Sequence, residues 1–211
     1  GNADYGAKSS AIVEAVVNPD GLLADRVESG VPDLRVIVLE GIPIMAMSRL
    51  PTVESNGTAN IHTGAVAVAV DIATGTTSGG YQQTRNKFLE THPDTGASLE
   101  FGIPDWESVL ETAARTSIAS GFGYTGVDIV FDADQGPMVL EVNRRPGLGI
   151  QNANMDGLLH RLRFAEAEAA NTQFMTASER VRQAIAWSQA DWKSTSPGQQ
   201  PEYAQKQEVV Q

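Results

Sequence analysis

Residues 126–143, GVDIVFDADQGPMVLEVN, read as two strands around a short turn. Val, Ile and Phe alternate with polar positions on the first arm, and Asp, Gln and Gly supply the turn chemistry at 133–136. Pairing Asp132 with Pro137 brings Asp128 directly opposite Glu141. Period-two alternation then assigns two faces. One carries Val127, Ile129, Phe131, Met138, Leu140 and Val142, all apolar, and is expected to be core. The other carries Asp128, Val130, Glu141 and Asn143, with Gly126 opposite Asn143 leaving room for something to approach.

Two carboxylates facing each other on a strand pair destabilise it. Near a core they raise one another's pKa or call for a cation. Asp, Glu and Asn offer only oxygen, which suits Mg²⁺ or Mn²⁺ together with water and phosphate oxygens. The plainer alternative is a solvated outer face where the repulsion is screened. Asn143 is followed at once by Arg144, Arg145, Pro146 and Gly147, an amide, two cations and a turn at one end of the pair.

Working outward, 34–50 reads as a hairpin, LRVIVLE and IMAMSRL around Gly41, Ile42 and Pro43. A three-residue loop would place Arg35 beside Arg49, and a two-residue loop would put them on opposite faces. Paired arginines suit a phosphate or carboxylate, while a lone Arg49 would be an ordinary surface cation at a strand end. Residues 60–70 (NIHTGAVAVAV) read as extended, and 71–103 as a functional loop or a meander of short strands. Asp105 is placed to cap a helix running to Ser120 and Gly121, with Trp106, Val109, Leu110, Ala113, Ser117 and Ile118 on its apolar side. Two further helices are expected near 155–170 and 178–192, with Trp187 and Trp192 as packing residues. A strand is expected at 11–17, closed by the turn Asn18, Pro19, Asp20, Gly21.

Composition narrows the partners. The 211 residues carry 26 Asp and Glu against 15 Lys and Arg, a net charge of −11, so neither nucleic acid nor an anionic membrane is expected as partner. Absence of cysteine excludes a disulfide framework, a thiolate metal site and a cysteine nucleophile. A cytoplasmic location is the matching expectation. The apolar runs at 42–47 and 65–70 are far too short to span a bilayer. His92 stands in a loop with nothing nearby to complete a triad or a metal site, and no nucleophile elbow occurs.

The blocks GVDIVFD, GPMVLEVNRRPGLGIQNAN, DLRVIVLEGIPIMAMSRLP and GTANIHTGAVAVAVDIATG, in order over about 32–162, resemble ATP-grasp ligases, particularly the α-L-glutamate ligase-like branch related to enzymes that add glutamate to ribosomal protein tails. The resemblance implies an α+β fold, the ATP-grasp carboxyl-terminal lobe, with a mainly antiparallel sheet and flanking helices. It divides the chain into a partial hinge region (1–31), that lobe (32–192) and a mobile tail (193–211). It implies ATP and Mg²⁺ (or Mn²⁺) as cofactors, with Asp128, Glu141 and Asn143 as metal ligands and Arg35 as the catalytic arginine near the transferred phosphoryl group. Glu14, in the Ile12-Val13-Glu14 hinge strand, Arg49 and Asn60 would bind the nucleotide. His62, Arg144 and Arg145 would meet substrate. The reaction implied is ATP-dependent carboxylate–amine ligation through an acyl phosphate, on small-molecule or peptide carboxylate and amine substrates.

Complete enzymes of this kind carry lysines and a Gly-rich loop over the phosphates, whereas here only Lys8 precedes the carboxylate pair apart from Lys87 within the loop region. The stretch 6–10, GAKSS, lacks the spacing of a phosphate-binding loop. An upstream ATP-grasp lobe is therefore an expected partner. The alternatives are a non-catalytic ATP-grasp half that binds a metal or a partner, and a ligase acting on a sugar or cell-envelope carboxylate.

Overall fold

The computed structural model describes residues 16–19 and 21–190. Glu14 and the expected strand residues 11–15, Lys8, Trp192 and the tail at 193–211 lie outside them. The fold is α+β. Among the described residues seven strands form one antiparallel sheet: β1 (Asp33–Leu39), β2 (Ile42–Leu50), β3 (Val66–Val70), β4 (Thr77–Gln82), β5 (Lys87–Leu89), β6 (Tyr124–Asp132) and β7 (Gly136–Asn143), in the order β5-β4-β3-β2-β1-β6-β7. β1 and β2, flanked on both edges, are almost continuously buried, as central strands of Val, Ile, Leu and Met should be.

The helices are α1 (Gly21–Ala24), α2 (Trp106–Ser120), α3 (Ile150–Asn154), α4 (Leu159–Thr172) and α5 (Ala177–Gln189). α2 and α5 pack on each other and against the sheet face that carries Leu34, Val36 and Val38, all fully buried. α3 crosses β3 on the other face. α5 opens with a reciprocal cap, Thr176 Oγ1 accepting from the Glu179 backbone while Glu179 accepts from the Thr176 N–H at 2.8 Å. Trp187 packs edge-on to Phe164 with ring centroids 4.9 Å apart, the packing role expected of it.

Four expectations change. The 34–50 hairpin closes with the two residues Glu40 and Gly41, at φ 48° and 75°, the mirror-image turn that follows the twist of the strands. Arg180 donates to the Glu40 carbonyl and the Glu40 N–H donates to Gly123 O at 2.6 Å, so the strained turn is tied on both sides. Ile44 is then an unpaired extra residue, and beyond it Arg49 pairs with Asp33 while Arg35 pairs with Met47. The two arginines share a face diagonally, neither directly opposed nor on opposite faces.

Residues 60–70 are not one extended segment. A single 3₁₀ turn over Ile61–Thr63 precedes β3, ended by Gly64 at φ 117°. Asp105 adopts φ 45° and makes no side-chain cap, while Gly121 does close α2 in the left-handed conformation. The helix expected near 155–170 is α4, which starts only at Leu159, and an unexpected short helix, α3, precedes it and ends where Met155 turns to φ 47°. The 71–103 region is the expected meander, β4 and β5 with their loops.

Candidate functional site

Asp128 stands directly opposite Glu141, and Gly126 opposite Asn143, as the alternation requires. Nearer the turn the register slips by one residue, because Leu140 is a bulge between Val139 and Glu141. This corrects the apolar face: β7 is an edge strand, Leu140 is 53% exposed, and its side chain lines the same cavity as Asp128 and Glu141. The six-residue apolar core face therefore holds for Val127, Ile129 and Phe131, which are buried, while Leu140 sits on the charged side.

β1 threads between β2 and β6, so its alternate side chains Asp33 and Arg35 meet both neighbours. Arg35 lies opposite Asp128 and grips it with two bonds, Nε to Oδ1 at 2.7 Å and a terminal nitrogen to Oδ2 at 2.6 Å. Arg49 donates from Nε to Asp33 Oδ1 at 2.6 Å, makes a second short bond to Asp33 Oδ2, and reaches Asp128 Oδ2 at 2.9 Å. Two buried carboxylates and two arginines thus alternate in one network. The Asn143 amide lies 3.3 Å from Asp128 Oδ2, and turned over it donates to Glu141 Oε1 at 2.9 Å and accepts from Arg35 at 3.3 Å.

Burial pushes the Asp33 carboxyl up to about 6 despite the bonds from Arg49, since removing the charge from water outweighs the pairing. Burial also works against the Arg49 charge, but Asp33 and Asp128 overcome it and raise the guanidinium above its ordinary value. Arg49 is therefore a fixed cation at any working pH. This differs from the surface cation that the strand-end position suggested.

The network forms the floor of an open cavity of about 560 Å³, lined also by Gly30, Gly57, Asn60, Val130, Leu140 and Glu141. Val130 and Leu140 make an apolar wall beside the charges. Gly30, at φ 90°, packs so closely against the Gly57 carbonyl that a Cβ would overlap it, which seats the 51–60 loop on the cavity rim. Asn60 caps the 3₁₀ turn by accepting from the His62 N–H at 2.9 Å. His62 itself is exposed, with its ring 3.3 Å from Gln83 Nε2 and outside the cavity lining. Arg144 and Arg145 are exposed on the bend after β7, also outside the lining. Asp33 was missed as a site residue because the strand was read as starting at Leu34; its alternation with Arg35 was the available signal.

The donor set fits a hard divalent cation in kind: two carboxylates directly paired across a strand pair with an amide next in line, all oxygen, Glu141 open to solvent. An ion there would share Asp128 with Arg35 and Arg49. Among the described residues no group of three or more His, Cys, Asp and Glu could hold a metal, so such an ion would depend on Asn143 and on oxygens from a ligand.

The family model of sugar-transfer associated ATP-grasp proteins matches residues 3–167. The chain belongs to this ATP-grasp family. Among solved structures, the ATP-grasp ligase PsnB complexed with a phosphomimetic variant of minimal precursor, Mg and ADP is 16% identical, with 74% of this chain and 33% of that one covered and a TM-score of 0.35. PsnB complexed with minimal precursor gives the same identity and score, covering 74% and 35%. D-alanine–D-alanine ligase from Bacillus anthracis is 13% identical, covering 77% and 41%, with a TM-score of 0.29. The chain thus spans about a third to two fifths of these ATP-grasp proteins. No curated protein matches the sequence. No helix among the described residues is long and apolar enough to cross a membrane.

Proposed function

We propose that the chain is the part of an ATP-dependent carboxylate–amine ligase that holds the metal–nucleotide complex. The observation that carries this reading is the paired Asp128 and Glu141 beside the Arg35–Asp128–Arg49–Asp33 network, on the floor of a cavity with an apolar wall. A nucleotide asks for these two surfaces together, an apolar one for the base and a charged one for the phosphates. Val130 and Leu140 supply the first.

The charge balance of that surface supports a bound cation as a further part of the reading. Asp33, Asp128 and Glu141 set three negative charges against two from Arg35 and Arg49, a net charge of −1 when all are ionised. A polyphosphate is not drawn to such a floor unaided. Asp128, Glu141 and Asn143 would hold a Mg²⁺ (or Mn²⁺), which would supply the missing positive charge beside the phosphates. Arg35 is positioned by its grip on Asp128 and, when the phosphates enter, can offer its outer nitrogens to the phosphoryl group in flight. Asn60 at the rim would donate to a phosphate or ribose oxygen.

In the reaction proposed, an oxygen of the substrate carboxylate attacks the γ-phosphorus of ATP and ADP leaves, giving an acyl phosphate. The amine then attacks the acyl carbon, phosphate leaves with the C–O electrons, and the amine loses a proton. No protein nucleophile is required. Glu14, Arg144, Arg145 and His62 remain assigned to nucleotide or substrate contacts through the ATP-grasp resemblance alone. A cytoplasmic location is proposed with this function, where ATP is supplied. The sugar-transfer association in the family's description supports a second reading of the substrate, a carboxylate on a sugar or cell-envelope component.

Calorimetric titration of ATP tests the site. Binding should be at least about tenfold tighter with Mg²⁺ than with excess chelator, and Glu141→Gln should remove most of that difference while leaving the fold intact. Equal affinity in metal and in chelator would overturn the assignment of the carboxylate pair.

A further inference from the structure

The site-bearing face of the sheet continues past the charged cluster. Direct pairing runs from Arg49 to Ala67, Tyr81 and Phe88, so both rings emerge on the same face as Arg49, two and three strands away. α3 lies over β3 between them. On its far side is a separate cleft of about 450 Å³, within the range of small-ligand sites. Nothing in the nucleotide site described above uses it.

The cleft is lined by Tyr81, Asn86, Phe88, Asn152, Met155 and Asp156, with Gln151 and Gly157 completing the wall. Tyr81 and Phe88 are tilted against each other with centroids 5.1 Å apart, and Phe88 is 54% exposed. Met155 is 75% exposed and holds φ 47°, a left-handed conformation that costs an ordinary side chain on the order of 1 kcal/mol. Asn86 holds φ 47° as well, and its Oδ1 accepts from Tyr81 Oη at 2.9 Å, which fixes the ring and points the amide. Asp156 is oriented by Arg161 at 3.1 Å. Asn152 is exposed and makes no side-chain hydrogen bond to the described residues.

We propose that this cleft binds a neutral saccharide. A sugar ring has an apolar C–H face and a rim of hydroxyls that both donate and accept. The Phe88 and Tyr81 rings and the Met155 side chain match the first. The amides of Asn86 and Asn152 donate and accept at the rim, and the Asp156 carboxylate accepts. Among the described residues no Lys, Arg or His lines the cleft, and Arg161 beside it is already held by Asp156 and the Ile44 carbonyl, so the lining favours a neutral ligand over a phosphate or carboxylate. An exposed Met beside a half-exposed Phe ring is unfavourable in water alone and is offset when an apolar ring face covers both.

Saturation-transfer NMR on the full chain with glucose, galactose, mannose, N-acetylglucosamine and cellobiose tests this, with adenosine and an uncharged tripeptide as controls. At least one sugar should show saturable transfer concentrated on the C–H protons of one ring face. Phe88→Ala and Asn152→Ala should each weaken that binding about fivefold to tenfold with unchanged circular dichroism, and Glu141→Gln should not affect it. Absence of binding by every sugar, binding undiminished in both cleft variants, or equal binding of adenosine or the tripeptide would each overturn the proposal.

Discussion

Asp33 shows how a single buried carboxylate writes itself into stability. Its value in the folded chain is about 6, above the ordinary 3.8, because burial outweighs the Arg49 bonds. Between those two values the folded chain holds a proton that the unfolded chain has released. Its contribution to stability is therefore full below about pH 4, falls as pH rises, and reaches its lowest level above about pH 6. The difference in unfolding free energy between the native chain and Asp33→Asn, measured in urea from pH 4 to 7.5, should decline by up to about 3 kcal/mol and then level off. A flat difference would show that Arg49 compensates the burial fully. Residue by residue, the sequence exposed Asp128 and Glu141 because alternation over a well-punctuated hairpin admits few registers. It concealed Asp33, whose charge at a strand start looks like the end of a loop until the neighbouring strand brings Arg49 alongside.

Elements were legible where punctuation and period agreed, as in α2 with its glycine stop and in the β6–β7 hairpin. They were misread where one residue breaks the count. Ile44 and Leu140 are such residues, and nothing in an apolar run marks which member will bulge. The 3₁₀ turn before β3 was hidden in the same way, since Ile61 and Gly64 fit a strand pattern until the Asn60 cap is seen. The Leu140 bulge also yields a test. Removing Leu140 leaves Val139 opposite Ile129 and the glutamate opposite Asp128, so the hairpin becomes regular and should still fold. The cavity loses the most exposed side chain of its apolar wall. Deletion of Leu140 should therefore preserve the thermal transition within a few degrees while weakening MgATP binding at least about tenfold, on the order of the transfer energy of one leucine. Unchanged MgATP affinity would remove Leu140 from the nucleotide site.

At the scale of the whole molecule, the sheet presents one face to α2 and α5, and the other carries two clefts with α3 between them. The overall charge of −11 persists locally at the charged cleft, where both arginines are already paired with aspartates. Such a surface should bind MgATP yet leave the phosphates short of cations. With MgATP, a carboxylate and an amine, the chain should release ADP at a rate near background alone, and at a rate well above it once the lysine-bearing lobe of an ATP-grasp protein is supplied. Turnover by the chain alone would show that Arg35 and Arg49 suffice. The Ile44 and Leu140 bulges each lie between a turn and the charged end of their hairpin, Ile44 on β2 beside β1 and Leu140 on the edge strand β7, while β1 and β6 between them pair without a break in register. The turns are thereby uncoupled from the site: a relative with a three-residue turn and no bulge after β1 would keep Asp33 opposite Arg49. Comparisons between such chains are in frame when counted from the charged residues outward, and out of frame by one when counted from the turns.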